Sequence, residues 1–296
     1  MKNFPDFKQW FDVSEYTVFN ECRKLEINMK PEHKIDISSF CKEFAKFLCR
    51  MRCGDVRDRD AMYRAIDGCP IEDYEQKKRI AYYFFKGFIS DNKYEKTGDY
   101  YSSFDDDAIT GYIGECLYYL IREQLLEDDK IHIEPCKPKF SSKEPGIDFV
   151  EIRKDSRGFY MIVGEIKTTQ NSIGSRPSDI LTMFKLRANK IFSEMYMGIK
   201  ENFSHNEDTE LKAFIDEMLD LFYRIGKSVT PQKRFSGVVN YNYHERQIQK
   251  TVFSDFKSEL GDTIYDLPDC RRIKLIGIYN IQDVIRQVRD EIWSRL

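Results

Sequence analysis

Apolar and polar positions alternate with a period of two from Ile147 to Ile152 and again from Phe159 to Ile166, on either side of Asp155, Ser156, Arg157 and Gly158. Such alternation marks strands, and the four residues between are turn formers, with Gly158 tolerating a positive φ. The pattern predicts a hairpin over 145–169. Its second strand places Phe159, Met161, Val163, Glu165 and Lys167 on one face and Tyr160, Ile162, Gly164 and Ile166 on the other. Two charged residues thus interrupt an apolar face at its far end.

Elsewhere the apolar spacing is three and four, the helical period. Ile37, Phe40, Phe44, Phe47 and Leu48 predict a helix ending near Cys53 and Gly54, with Asp36 or Ser38 as cap. Shorter helices are expected over DVRDRDAMYRAIDG and IEDYEQKKRIAYYFFKGFIS, while residues 1–35 read as aromatic-rich and irregular apart from strand-like EYTVF at 15–19. Residues 91–108 are polar and turn-rich and end in an acidic triplet, Asp105 to Asp107, as a linker into a helix from Ala108 to Leu126. Glu115 lies at the edge of that helix's apolar stripe.

A proline-broken strand is expected at 131–140, strands at 235–242 and 273–281, and helices at 177–200, 209–225, 245–260 and 282–296. The expected fold is α/β: a mixed central sheet flanked by helices over 105–296, preceded by a mostly helical region, 1–104, for recognition or partner docking.

Composition narrows the class. The chain has 296 residues, 41% hydrophobic and 33% charged, with no apolar run of membrane length and no apolar core in MKNFPDFKQW, so a cytoplasmic protein without membrane contact is expected. Its eight cysteines suit a reduced compartment. Cys49 and Cys53 lie one turn apart, but no second pair and only scattered histidines accompany them, which argues against structural zinc. The net charge of −3 argues against tight unaided DNA binding and leaves room for a partner that holds the DNA. DVRDRD reads as a solvated charged face.

Charges at the end of an apolar strand cost free energy unless they pair or bind an ion. Asp148, on the neighbouring strand, is placed to face them, giving the spacing D-x16-E-x-K. Two carboxylates with an ammonium beside them make a hard-oxygen cation site of the kind Mg²⁺ takes, with water and phosphate completing its shell. The same residues also suit a plain surface ion pair.

This arrangement resembles the PD-(D/E)XK, or restriction-endonuclease-like, superfamily of nucleases. Gly146, Ile147 and Asp148 match its first half and Glu165, Ile166 and Lys167 its second, while Glu115 takes the place of a helical glutamate the family often carries. The proline of the first half is displaced to Pro145, three residues before Asp148. The resemblance implies a restriction-endonuclease-like core in which Asp148, Glu165 and the Ile166 carbonyl hold Mg²⁺, or Mn²⁺ in its place. It also implies that Glu115 completes a metal site and that Lys167 orients or deprotonates the attacking water.

The implied activity is hydrolysis of DNA phosphodiester bonds with no small-molecule cofactor. Lys137, Lys139, Lys143, Lys185, Arg187 and Lys190 are candidate phosphate contacts, and Thr168, Thr169 and Gln170 candidate substrate contacts. The layout is similar to that of the nuclease subunit of Hachiman-type anti-phage systems, which implies a helicase partner and a defence role. A non-catalytic, partner-binding scaffold on the same fold is the alternative, and RNA is a further possible substrate because the motif does not read the sugar.

Overall fold

The structure, a computed structural model, describes residues 7–19, 22–34, 36–85, 88, 105–125, 148–156, 158–171, 173–174, 176–187, 208–223, 233–243 and 271–296. The expected strand at 131–140, the expected helix at 245–260, Gly146, Ile147, Lys137, Lys139, Lys143 and Lys190 lie outside them, as does the expected helical stretch beyond Arg187.

Three strands come first: β1 (Phe11–Val13), β2 (Thr17–Phe19) and β3 (Cys22–Met29). Helices α1 (Ser38–Arg52), α2 (Val56–Ile66), α3 (Tyr74–Phe85) and α4 (Asp106–Leu125) follow. The hairpin β4 (Phe149–Asp155) and β5 (Gly158–Thr168) leads to α5 (Arg176–Arg187) and α6 (Thr209–Tyr223). Last come β6 (Lys233–Asn242), β7 (Arg271–Ile278) and α7 (Ile281–Trp293).

All the described strands belong to one mixed seven-stranded sheet ordered β1-β3-β7-β6-β5-β4, with β2 also paired to β3. Strands β3, β7, β6 and β5 run parallel, while β4 is antiparallel to β5, and β1 and β2 are antiparallel to β3. The hairpin forms where the alternation placed it, and Gly158 takes φ 109°, the left-handed region its turn requires.

Strand β3 corrects the reading of the first 35 residues as irregular. Leu25, Ile27 and Met29 alternate with half-buried Glu26 and Asn28, a period-two signal in the sequence itself. Because β3 pairs with β7, the N-terminal region supplies an inner strand of the sheet as well as helices.

The two faces carry separate cores. Leu25, Ile27, Ile162, Val238 and Ile276 meet α1, α2, α3, α4 and α7 on one side, while Val150, Val163, Val239 and Leu275 meet α5 and α6 on the other. On α1 the aromatic stripe seen in the sequence closes on itself: Phe40 stacks on Phe44 with ring centroids 5.6 Å apart, and Phe44 on Phe47 at 6.1 Å. Cys22, Cys41, Cys49, Cys53 and Cys116 are buried free thiols, and burial pushes Cys22 and Cys53 up to about 12. No helix among the described residues is long and apolar enough to cross a membrane.

Beneath α4, the first face holds a buried ion network. Glu151 lies 2.6 Å from Arg122 Nε, 2.8 Å from Arg153 Nη2 and 3.8 Å from Lys274 Nζ, and its Oε1 accepts from the Tyr118 hydroxyl at 2.9 Å. Lys274 Nζ also donates to the Tyr118 oxygen. Two guanidiniums stand closer to the carboxylate than Lys274 does and keep their protons, so the lysine is the cation that yields. Burial brings Lys274 down to about 7; Glu151 pulls its affinity for the proton up, and Arg153, Arg122 and Arg272 push it down.

An unfolded lysine keeps its proton to about pH 10.4, so unfolding takes up a proton between about pH 7 and that value, and stability from this group rises with pH across the window. Buried cysteines act in the opposite sense above about pH 8.5, so the useful comparison is with a variant. Between about pH 6.5 and 8.5, wild type is expected to gain stability relative to Lys274→Met in urea unfolding. Parallel pH profiles would contradict the depressed affinity.

Candidate functional site

Strand β5 ends in the motif, and its neighbours fix what faces it. The β4–β5 register pairs Phe149 with Gly164, so its next step sets Asp148 opposite Glu165. On the other side, parallel β6 sets Gly237 beside Glu165 and Val239 beside Lys167. Both motif residues point to the face covered by α5, whose Ile180 packs over Gly237 where a Cβ would lie 3.2 Å from it.

The local contacts are short. Lys167 Nζ donates to Glu165 Oε1 at 2.7 Å, with the glutamate side chain 5% exposed and the lysine 30%. Asp148 N–H donates to the Gly164 carbonyl at 3.2 Å, and its Oδ2 accepts from Ile166 N–H at 2.7 Å. In a strand the N–H and C=O of one residue point the same way. The Ile166 carbonyl therefore faces the side on which Asp148 stands, just past the last β4–β5 pair.

Asp148, Glu165, Lys167 and the Ile166 carbonyl are thus brought to one end of the hairpin, Glu165 buried and Asp148 and Lys167 half-buried. Glu115 is carried by a different element. It is half-buried on α4, and α4 packs on the opposite face of the sheet: its Gly114 carbonyl accepts from Asn240 Nδ2 at 3.3 Å, and the same amide donates to Thr168 Oγ1 at 3.1 Å. Glu115 follows Gly114 and so lies near the end of β5, on the helix that covers the face opposite to α5.

Asn240 was not singled out in the sequence, although an asparagine in the buried strand FSGVVNYN was its signal. Fully buried, its side-chain amide ties α4 to β5, and its main-chain carbonyl accepts from Thr169 N–H at 2.9 Å. Thr169 is buried and Gln170 exposed; Lys185 and Arg187 are on α5, and their side chains lie outside the described residues.

Gly114 makes the close crossing possible, since a Cβ there would sit 1.8 Å from Thr168 Oγ1 and 2.8 Å from Asn240 Nδ2. Gly114→Ala is expected to destabilise the fold by about 1–3 kcal/mol in urea unfolding, overriding alanine's helical advantage. Adding Thr168→Ala should recover part of the loss; an unchanged midpoint in the single variant would count against so tight a crossing.

No protein-family model matches this chain, and no curated protein matches it.

As a metal site the donors fit in kind: two carboxylates and a main-chain carbonyl are hard oxygens. Among the described residues no three His, Cys, Asp or Glu side chains are grouped to hold an ion. Mg²⁺ does not demand such a cage, because one or two carboxylates suffice when water and substrate phosphate supply its other ligands.

Proposed function

We propose that this protein is a Mg²⁺-dependent deoxyribonuclease with a restriction-endonuclease-like core. The observation that carries the reading is Asp148 opposite Glu165 with Lys167 two residues further along β5. The order of elements adds support: α4 precedes an antiparallel hairpin, α5 follows it, and parallel β6 and β7 extend the sheet from β5.

In this reading Asp148, Glu165 and the Ile166 carbonyl hold the ion. Bound there, Mg²⁺ would act as a Lewis acid on the phosphoryl oxygens and lower the pKa of the attacking water. Lys167 reaches outward beside Glu165 and orients that water toward phosphorus. Asp148 performs a second task by holding the Ile166 N–H, which fixes the strand end on which the other groups depend. The proposal extends to a helicase partner that delivers DNA in anti-phage defence, an arrangement suited to the chain's acidic balance.

The test is cleavage of supercoiled plasmid and of linear single-stranded DNA with Mg²⁺, Mn²⁺ or EDTA. Metal-dependent cutting by wild type and its loss in Glu165→Ala is the expected result. The engagement of Glu165 by Lys167 and of Asp148 by Ile166 N–H favours a second reading, a scaffold that keeps the fold and cuts nothing. An inert wild type, alone and with its co-purified partner, would favour the scaffold.

A further inference from the structure

The charged stretch DVRDRD, expected as a solvated face, is organised in the structure. Asp55 caps α2, accepting from Arg57 N–H at 2.7 Å and from Asp58 N–H at 3.3 Å. Asp58 turns inward to full burial and takes Arg79 in a fork, with Nη2 at 2.6 Å and Nε at 2.8 Å, together with the Gln76 amide at 3.2 Å. Asp60 stands 3.7 Å from Arg59 Nε. All three acids are therefore engaged, and the bonds from Asp58 staple α2 to α3.

Arg57 and Arg64 remain. Several other exposed or half-exposed arginines are paired: Arg176 with Asp179, Arg286 with Asp283, Arg289 with Asp106 and Arg295 with Glu291. The guanidiniums of Arg57 and Arg64 make no ion pair among the described residues, and both line a cleft of about 520 Å³ with Asp60, Tyr63 and Gln76. Seven residues apart on one helix, they share a face at a spacing of about 10.5 Å along the axis. Gln76 Nε2 also donates to the Arg57 carbonyl at 3.3 Å, so the wall opposite α2 is held in place.

We propose that this cleft binds the phosphate backbone of a single nucleic-acid strand, Arg57 and Arg64 each taking one phosphate and Tyr63 offering a ring edge beside Arg64. The guanidinium fork matches phosphate geometry, and an aromatic side chain beside it accepts a base of any sequence. The guanidinium forks with an aromatic edge beside them favour a strand over an acidic peptide, which brings no base to stack. The proposal goes beyond the nuclease reading and does not depend on it.

The test is fluorescence anisotropy of a labelled single-stranded oligonucleotide in EDTA, where binding is measured and cutting is not. Arg57→Gln/Arg64→Gln is compared with Arg286→Gln/Arg295→Gln, which removes the same charge from α7 and the turn that follows it. The first variant is expected to raise Kd about tenfold and to flatten the slope of log K against log salt by about 1.4, the value for two lost phosphates. The second should change neither. All four side chains are exposed or half-exposed, so thermal melts should coincide; were the first variant to melt early, Arg64→Gln alone would take its place, with about half the loss of slope. Equal weakening by both double variants, displacement by polyglutamate as effective as by unlabelled oligonucleotide, or no binding by wild type would each overturn the proposal.

Discussion

Lys167→Met is expected to lower metal-dependent cleavage by about 10²- to 10⁴-fold, the range for removing a group that positions or moves a proton in the transition state. The same change should cost at most about 1 kcal/mol of stability, because the Lys167–Glu165 pair is partly open to water and screened there. Methionine keeps the aliphatic stem, so packing along β5 is preserved. The two readouts separate the possible roles of the pair. A surface ion pair would show the small loss of stability and full cutting, whereas a working lysine shows the small loss of stability and little cutting. Single-turnover cleavage at saturating Mg²⁺ is the appropriate measurement, since it excludes slow product release. Wild-type rates in the variant would remove Lys167 from the site.

Glu151→Gln should produce the largest stability loss. The carboxylate is wholly buried, and burial opposes its charge, yet Arg122, Lys274 and Arg153 together hold it well below the usual carboxylate range. Neutralising it leaves those cations without the one buried carboxylate they share among the described residues. Lys274 can shed its proton, but the guanidiniums cannot. Breaking a buried pair from one side costs about 3–5 kcal/mol, and the loss here should reach that range in urea unfolding. Lys274→Met, which leaves Glu151 flanked by both arginines, should cost much less. A change within about 1 kcal/mol for Glu151→Gln would mean that water reaches the network.

Much of the fold was written in periodicity. The β4–β5 hairpin, α1, α4 and α7 follow from spacings that a single chain displays, and the interruption of an apolar strand by Glu165 and Lys167 marked the candidate site. Asp148 opposite Glu165 was legible because a hairpin fixes its own register. Strand β3 was missed although Leu25, Ile27 and Met29 alternate, because neighbouring aromatic and charged residues masked a short run and its partner β7 is remote. The long-range relations had no local signal at all. Nothing near Glu115 tells which face of the sheet α4 covers, and nothing near Glu151 announces Arg122 and Lys274, since these meetings are set by packing between distant segments. DVRDRD shows the same limit, as its charges sort into cap, buried staple and cleft only once α3 lies against α2.

The parallel pairing of β3 with β7 also sets an order of events during synthesis. The Cys22 thiol donates to the Arg271 carbonyl at 3.2 Å across 249 residues of chain, and at about 5–20 residues per second the ribosome takes about 12–50 s to span that interval. Through it, β3 has an unpaired edge and the row Leu25, Ile27 and Met29 lacks its final cover, a state that invites strand addition from other chains. Factors that hold extended apolar segments would find β3 available in that interval. A nascent chain released before Arg271 would carry that edge uncovered into the cell.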